Sequence, residues 1–198
     1  MTTYSDIRYD MGLSTSATGV GGMVLLATET ASSSDTIDFT SKIDSLYKEY
    51  IFKFINVHPA TDAAELSFQA NAAGGSGFDE TITSTYFRAV HNEADTAATL
   101  SYDANRDQAQ ATGFQEIASD VGNENDQSAS GYLHLFDPSS TTFTKHFILR
   151  SSVYIADTGA RDQFVAGYFN TTSAIDEIQF KMSSGNIDAG TFKMYGVL

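Results

Sequence analysis

Apolar residues recur at every second position through much of the chain, the period of a β-strand rather than a helix. Over residues 50–57, Tyr50, Phe52 and Phe54 point one way, while Ile51, Lys53, Ile55 and Val57 point the other. Phe143, Lys145, Phe147 and Leu149 alternate with Thr144, His146, Ile148 and Arg150. Ile178, Phe180 and Met182 share a face opposite Gln179 and Lys181, and Phe192 and Met194 repeat the pattern further on. Between such runs sit clusters of Ser, Thr, Gly, Asn and Asp at 72–77, 120–130, 138–142 and 183–190. These residues make turns, through tolerance of left-handed backbone or side-chain-to-backbone bonds. Strands are predicted near 22–29, 35–40, 47–57, 64–70, 81–92, 97–102, 131–137, 143–155, 162–170, 175–183 and 191–197.

About ten strands with turn signals between them predict an all-β fold, an antiparallel β-sandwich of jelly-roll type. A closed barrel is the weaker expectation, because barrel strands would be more evenly spaced. Helix is expected only as one or two turns within 105–119, interrupted by Gly113. A single domain is expected over 22–198, since one β-domain accommodates a chain of 198 residues. Residues 1–21 are rich in Ser, Thr and Gly and carry little alternation, which predicts an extended N-terminal arm. In an assembly such an arm reaches a neighbour, so its deletion should leave a folded domain that no longer associates with that assembly. No fixed-period repeat is present.

Composition narrows the function. Fourteen Phe and ten Tyr, with no Trp, supply the bulky β-favouring core. The absence of cysteine removes disulfides, zinc–thiolate sites, iron–sulfur clusters and cysteine nucleophiles. Twenty-five acids against 11 bases give a net charge of −14, and the bases are scattered singly, as at Arg8, Lys48, Arg88, Arg106 and Arg161. A phosphate-binding surface needs clustered Lys and Arg, so nucleic acid is not expected as a partner. The longest early apolar run, 23–27, is too short for a signal or membrane segment, and no membrane partner is expected.

The ionisable residues show little patterned chemistry. His58, His91, His134 and His146 do not fall at metal-chelating spacings, although His134 and His146 could meet across neighbouring strands. Gly74-Gly75-Ser76-Gly77 lacks the nucleophile-elbow spacing and reads as a hairpin loop. Asp103-Ala104-Asn105-Arg106-Asp107 begins like a calcium loop, but Gln108 and Phe114 stand where Gly and Glu are required. The loop 120–126, with Asn123, Glu124, Asn125 and Asp126, could gather oxygen ligands irregularly; the stronger reading is a solvated acidic loop. The expectation is therefore a non-enzymatic protein with no catalytic, cofactor-binding or metal residues. Abundant Ser, Thr and aromatics suit contact with proteins or carbohydrate, and Tyr86, Tyr102 and Tyr154 are the candidate sugar-stacking rings.

Three segments, 50–62 (YIFKFINVHPATD), 132–147 (YLHLFDPSSTTFTKHF) and 168–197 (YFNTTSAIDEIQFKMSSGNIDAGTFKMYGV), resemble β-sandwich virion structural proteins of tailed phages infecting marine and freshwater bacteria. The closing strand, SSGNIDAG and final strand are similar to the last hairpin of many such proteins. The resemblance covers about 47–198, its motifs are structural, and no functional residue is carried over. It implies a bacteriophage virion protein assembled in the host cytoplasm, partnered by the major capsid protein or tail components. It further implies a homo-oligomer such as a trimer. Capsid decoration, as a cement protein stabilising the shell by repeated contacts, is the favoured position, because heptads and a fibrous shaft are lacking. The alternative is a tail-fibre or receptor- and carbohydrate-binding domain.

Overall fold

The computed structural model describes residues 22–198, so the arm expected over 1–21 lies outside the described residues. Thirteen strands follow one another: β1 (Met23–Ser34), β2 (Thr36–Phe39), β3 (Glu49–Pro59), β4 (Ala64–Ala72), β5 (Ile82–Asn92), β6 (Ala98–Tyr102), β7 (Ala109–Ala111), β8 (Gln115–Val121), β9 (Ala129–Phe136), β10 (Lys145–Ile155), β11 (Gly159–Phe169), β12 (Ile175–Met182) and β13 (Ile187–Val197). All their pairings are antiparallel.

The fold is all-β and antiparallel, but two details of the expectation are corrected. There are thirteen strands rather than about ten, and they form one nearly closed, barrel-like sheet rather than the two separate layers of a sandwich. Its path runs β1-β13-β3-β9-β10-β8-β4-β12-β2, and a wing of β11, β5, β6 and β7 leaves from β10. Two features carry the sheet round. At Asp35 the chain bends, so that β1 pairs with β13 while β2 pairs with β12. At the other side β10 outruns β9: the Tyr154 N–H donates to the Ser128 carbonyl, and the Tyr154 carbonyl accepts from the Gly122 N–H just beyond β8. Ile155 then pairs with Val121, the one register pair between β10 and β8.

The helical turns expected within 105–119 are absent; β7 and β8 occupy that stretch. Pairing of β8 with β4, through Ala64, Leu66, Ser67 and Phe68, outweighs the local preference of a Gln- and Ala-rich sequence.

Inside, the alternation reads largely as expected, although Ile51, on the outward parity, is also covered, and Phe143, aligned in sequence with the inward row of β10, precedes that strand and is exposed. Tyr50, Phe52 and Phe54 are buried, but so is Val57, which the strict period had placed outside. Asn56 adopts a left-handed φ of 50° at a bulge between Phe54 and Val57, and the extra residue turns Val57 inward. Across the interior, Phe68 of β4 meets Phe147 of β10 edge-on at 5.2 Å and Phe169 of β11 at 6.1 Å. Phe180 of β12 faces Phe52 and Phe192 at 6.0 and 5.2 Å. Lys145 is also fully buried; its Nζ donates to the carbonyls of Phe143 and Thr171 at 3.0 and 3.1 Å. Burial lowers its pKa, against the pull of Asp137 and Glu80.

Candidate functional site

Polar chemistry collects in two places, one inside the sheet and one on its outer face. The inner one lies along β8. This strand pairs with β4 on one edge but meets β10 only at its end, so backbone groups on its other edge need partners. Side chains of β10 and β11 supply them. The Ser151 hydroxyl donates to the Ile117 carbonyl at 2.5 Å. The Ser119 N–H donates to Gln163 Oε1 at 3.1 Å, and Arg161 Nη1 donates to the Ser119 carbonyl at 3.1 Å. Gln163 Nε2 also donates to Ser119 Oγ at 2.8 Å.

A charged cluster continues this seam towards the wing. Arg88 stands 3.1 Å from Asp103, and Arg106 Nε stands 3.3 Å from the same carboxylate. Arg106 also pairs with Glu116 and Asp120, with Glu65 at 3.6 Å, and Arg161 pairs with Asp120. Burial, the largest single influence on Arg106, works against its charge, but Glu116 and Asp120 outweigh it and hold its pKa raised. Burial pushes the Glu116 carboxyl up; Glu65 and Asp120 add to this, and Arg106 opposes it. The Tyr86 phenol, 3.4 Å from Ser119 Oγ, is pushed up to about 12, chiefly by burial. The arrangement fastens the wing to the wall and holds its carboxylates against arginines.

The outer face is different. Following the register, one row runs across seven strands: Lys193, Lys53, Tyr132, Arg150, Phe164, Phe87 and Tyr102. Phe87 and Phe164 stack at 4.8 Å with an interplanar angle of 6°. The Arg150 guanidinium lies over the Phe164 ring at 4.7 Å and grips Asp162 through Nε and Nη2, at 2.9 and 2.7 Å. One step along the strands the row is small: Ser130, Ser152, Asp162 and Ala89 lie in register. Beyond it stand Tyr154, Ala160 and His91, also in register. A shallow trough of about 520 Å³ results, and a second hollow of about 480 Å³ adjoins it along Ser130, Ser152 and Ala160.

The residues singled out from sequence are placed as follows. His58 Nδ1 hydrogen-bonds the Gln127 carbonyl at 2.8 Å, and His91 pairs with Asp95 at 3.1 Å. His134 and His146 do lie on neighbouring strands, but His134 is opposite Ile148 and bonds Glu49 of β3 instead. The loop at 74–77 joins β4 to β5, which do not pair, so it is a crossover connection rather than a hairpin. Asp103 is held by two arginines and Asp107 accepts from the Tyr102 hydroxyl, which commits both carboxylates of the calcium-like stretch. In the acidic loop, Asp62 accepts from the Asn123 N–H at 3.1 Å. Among the described residues no group of three or more His, Cys, Asp or Glu side chains could hold a metal ion. Of the three candidate rings, Tyr86 is buried in the seam, Tyr102 ends the aromatic row, and Tyr154 lines the second hollow with its hydroxyl donated to Glu93 at 2.9 Å. Tyr132, Phe87, Phe164 and the Arg150–Asp162 pair went unnoticed in the sequence; their signal was outward parity on strands whose register only the fold supplies.

These features define a class, an all-β protein with a side-chain-sealed seam and an aromatic outer platform. In comparisons with protein families, curated proteins and solved structures, the chain matches none.

Proposed function

We propose that this chain is a non-catalytic structural module of a virion, a capsid decoration or cement protein that acts by being held among its neighbours. The observation that supports this reading is the seam: Ser119, Ser151, Arg161 and Gln163 bond one another and the β8 backbone. Hydroxyls and amides that could serve a reaction are used to stiffen the sheet. A rigid body with a broad outer face suits repeated, individually modest contacts summed over a symmetric lattice. A homo-oligomer such as a trimer on the shell, contacting the major capsid protein, fits that mode. The resemblance of 47–198 to phage virion proteins points the same way.

The number of copies per particle tests the reading. Quantitative mass spectrometry of purified virions should find hundreds of copies, and labelled particles should carry density over the head. A few copies, with density at the tail alone, would instead make it a tail or receptor-binding component. Absence from particles would overturn both.

A further inference from the structure

We propose that the trough on the outer face of β9, β10, β11 and β5 is a binding site for a neutral oligosaccharide, an inference that stands whether or not the module belongs to a virion. Three independent observations meet there.

The first is aromatic. Tyr132 and Phe87 are 37% and 40% exposed although they lie mid-strand on a folded face. Tyr132 lines the trough beside Arg150, and the stacked Phe87 and Phe164 continue the same row alongside it, an exposed aromatic patch of the kind that marks contact sites. The C–H faces of pyranose rings pack on such π-surfaces. Successive strands lie about 4.8 Å apart, close to the advance of one sugar ring in an extended 1,4-linked chain. A glycan lying across the strands would therefore meet one side chain of the row per ring.

The second is polar. The Arg150–Asp162 pair is bidentate and lies over Phe164. Arg150 Nη1 makes no hydrogen bond among the described residues, so it can donate to a hydroxyl while the neighbouring Asp162 oxygens accept from the next. Vicinal diols present that donor–acceptor spacing. The floor of Ser130, Ser152 and Ala89 carries only short side chains and adds hydroxyl partners.

The third is charge and size. Within the trough Arg150 is neutralised by Asp162, and the chain as a whole carries −14, which favours a neutral glycan over an anionic one there, while Lys53 and Lys193 stand in the row beyond Tyr132. The two adjoining hollows, about 520 and 480 Å³, each fall within the ~300–1,000 Å³ range of small-molecule sites.

Calorimetric titration of the full chain with hexamers of glucose (β-1,4 and α-1,4) and of N-acetylglucosamine, beside a hexamer of galacturonic acid, tests this. At least one neutral hexamer should bind, and the acidic one should bind more weakly. Tyr132→Ala and Asp162→Asn should each weaken binding about tenfold, and Ser152→Trp, which fills the floor, should abolish it. Phe143→Ala, which removes an exposed ring of the β9–β10 loop, should leave binding unchanged. Thermal melts separate lost binding from lost folding, and backbone amide shifts of the wild-type protein map the contact if a variant does not fold. No binding of any neutral hexamer, tighter binding of the acidic one, or shifts away from β9–β11 would overturn the proposal.

Discussion

Gly167 shows how closely the sheet is fitted. A Cβ there would stand 2.6 Å from both the Phe147 ring and the Thr83 carbonyl oxygen. The backbone on one side cannot yield, so Gly167→Ala should destabilise by about 1–3 kcal/mol, measured as a lower urea midpoint at unchanged slope. Tyr86 gives a pH signature. Its folded pKa of about 12 lies above the ordinary 10.0, so the unfolded chain loses its proton first as pH rises. Stability is then whole below pH 10 and declines between 10 and about 12, by roughly 2–3 kcal/mol from this residue. Tyr86→Phe should flatten that part of the alkaline limb in urea titrations. Single residues were the least legible level of the sequence. Arg88, Arg106 and Arg161 read as scattered bases, because nothing in their spacing tells that β5, the turn before β7 and β11 converge on Asp120.

At the scale of elements, strand identity was legible wherever alternation was sustained. β3, β10, β12 and β13 face inward on the parity that the sequence gives them, apart from the flip at Asn56. β8 was illegible for a physical reason. Its buried face mixes Gln115 and Ser119 with Ile117, because it packs partly on a polar seam rather than on the aromatic core, so no apolar period survives. The seam makes a prediction of its own. Gln163→Leu would leave the buried Ser119 N–H without its acceptor, costing about 1–3 kcal/mol. Hydrogen exchange should quicken first at β8, ahead of β3 and β13. A general loosening of all strands together would argue that β8 is not held by these side chains.

For the whole molecule, charge sets the response to conditions. A chain at −14 repels itself at neutral pH, and added salt should raise its melting temperature there. Glu116 adds to the pH dependence: its carboxyl is raised above 4.5, so the folded state binds that proton more tightly and its contribution improves as pH falls from neutral towards 4.5. Comparing wild type with Glu116→Gln at pH 7 and pH 5, the difference should shift in favour of the wild type at the lower value. The fold class was readable from the two-residue period alone, but closure into one sheet was not. It depends on a single bend at Asp35 and a single handover at Tyr154, neither of which leaves a mark in hydropathy.

The sealed edge of β8 has a consequence for life in a crowd. A bare strand edge is a template on which a neighbouring chain can zip, the first step towards fibrils and swapped dimers. With Ser151, Gln163 and Arg161 already occupying its amides and carbonyls, that edge offers no foothold to another backbone. Molecules packed shoulder to shoulder at high local concentration would gain from such a guard.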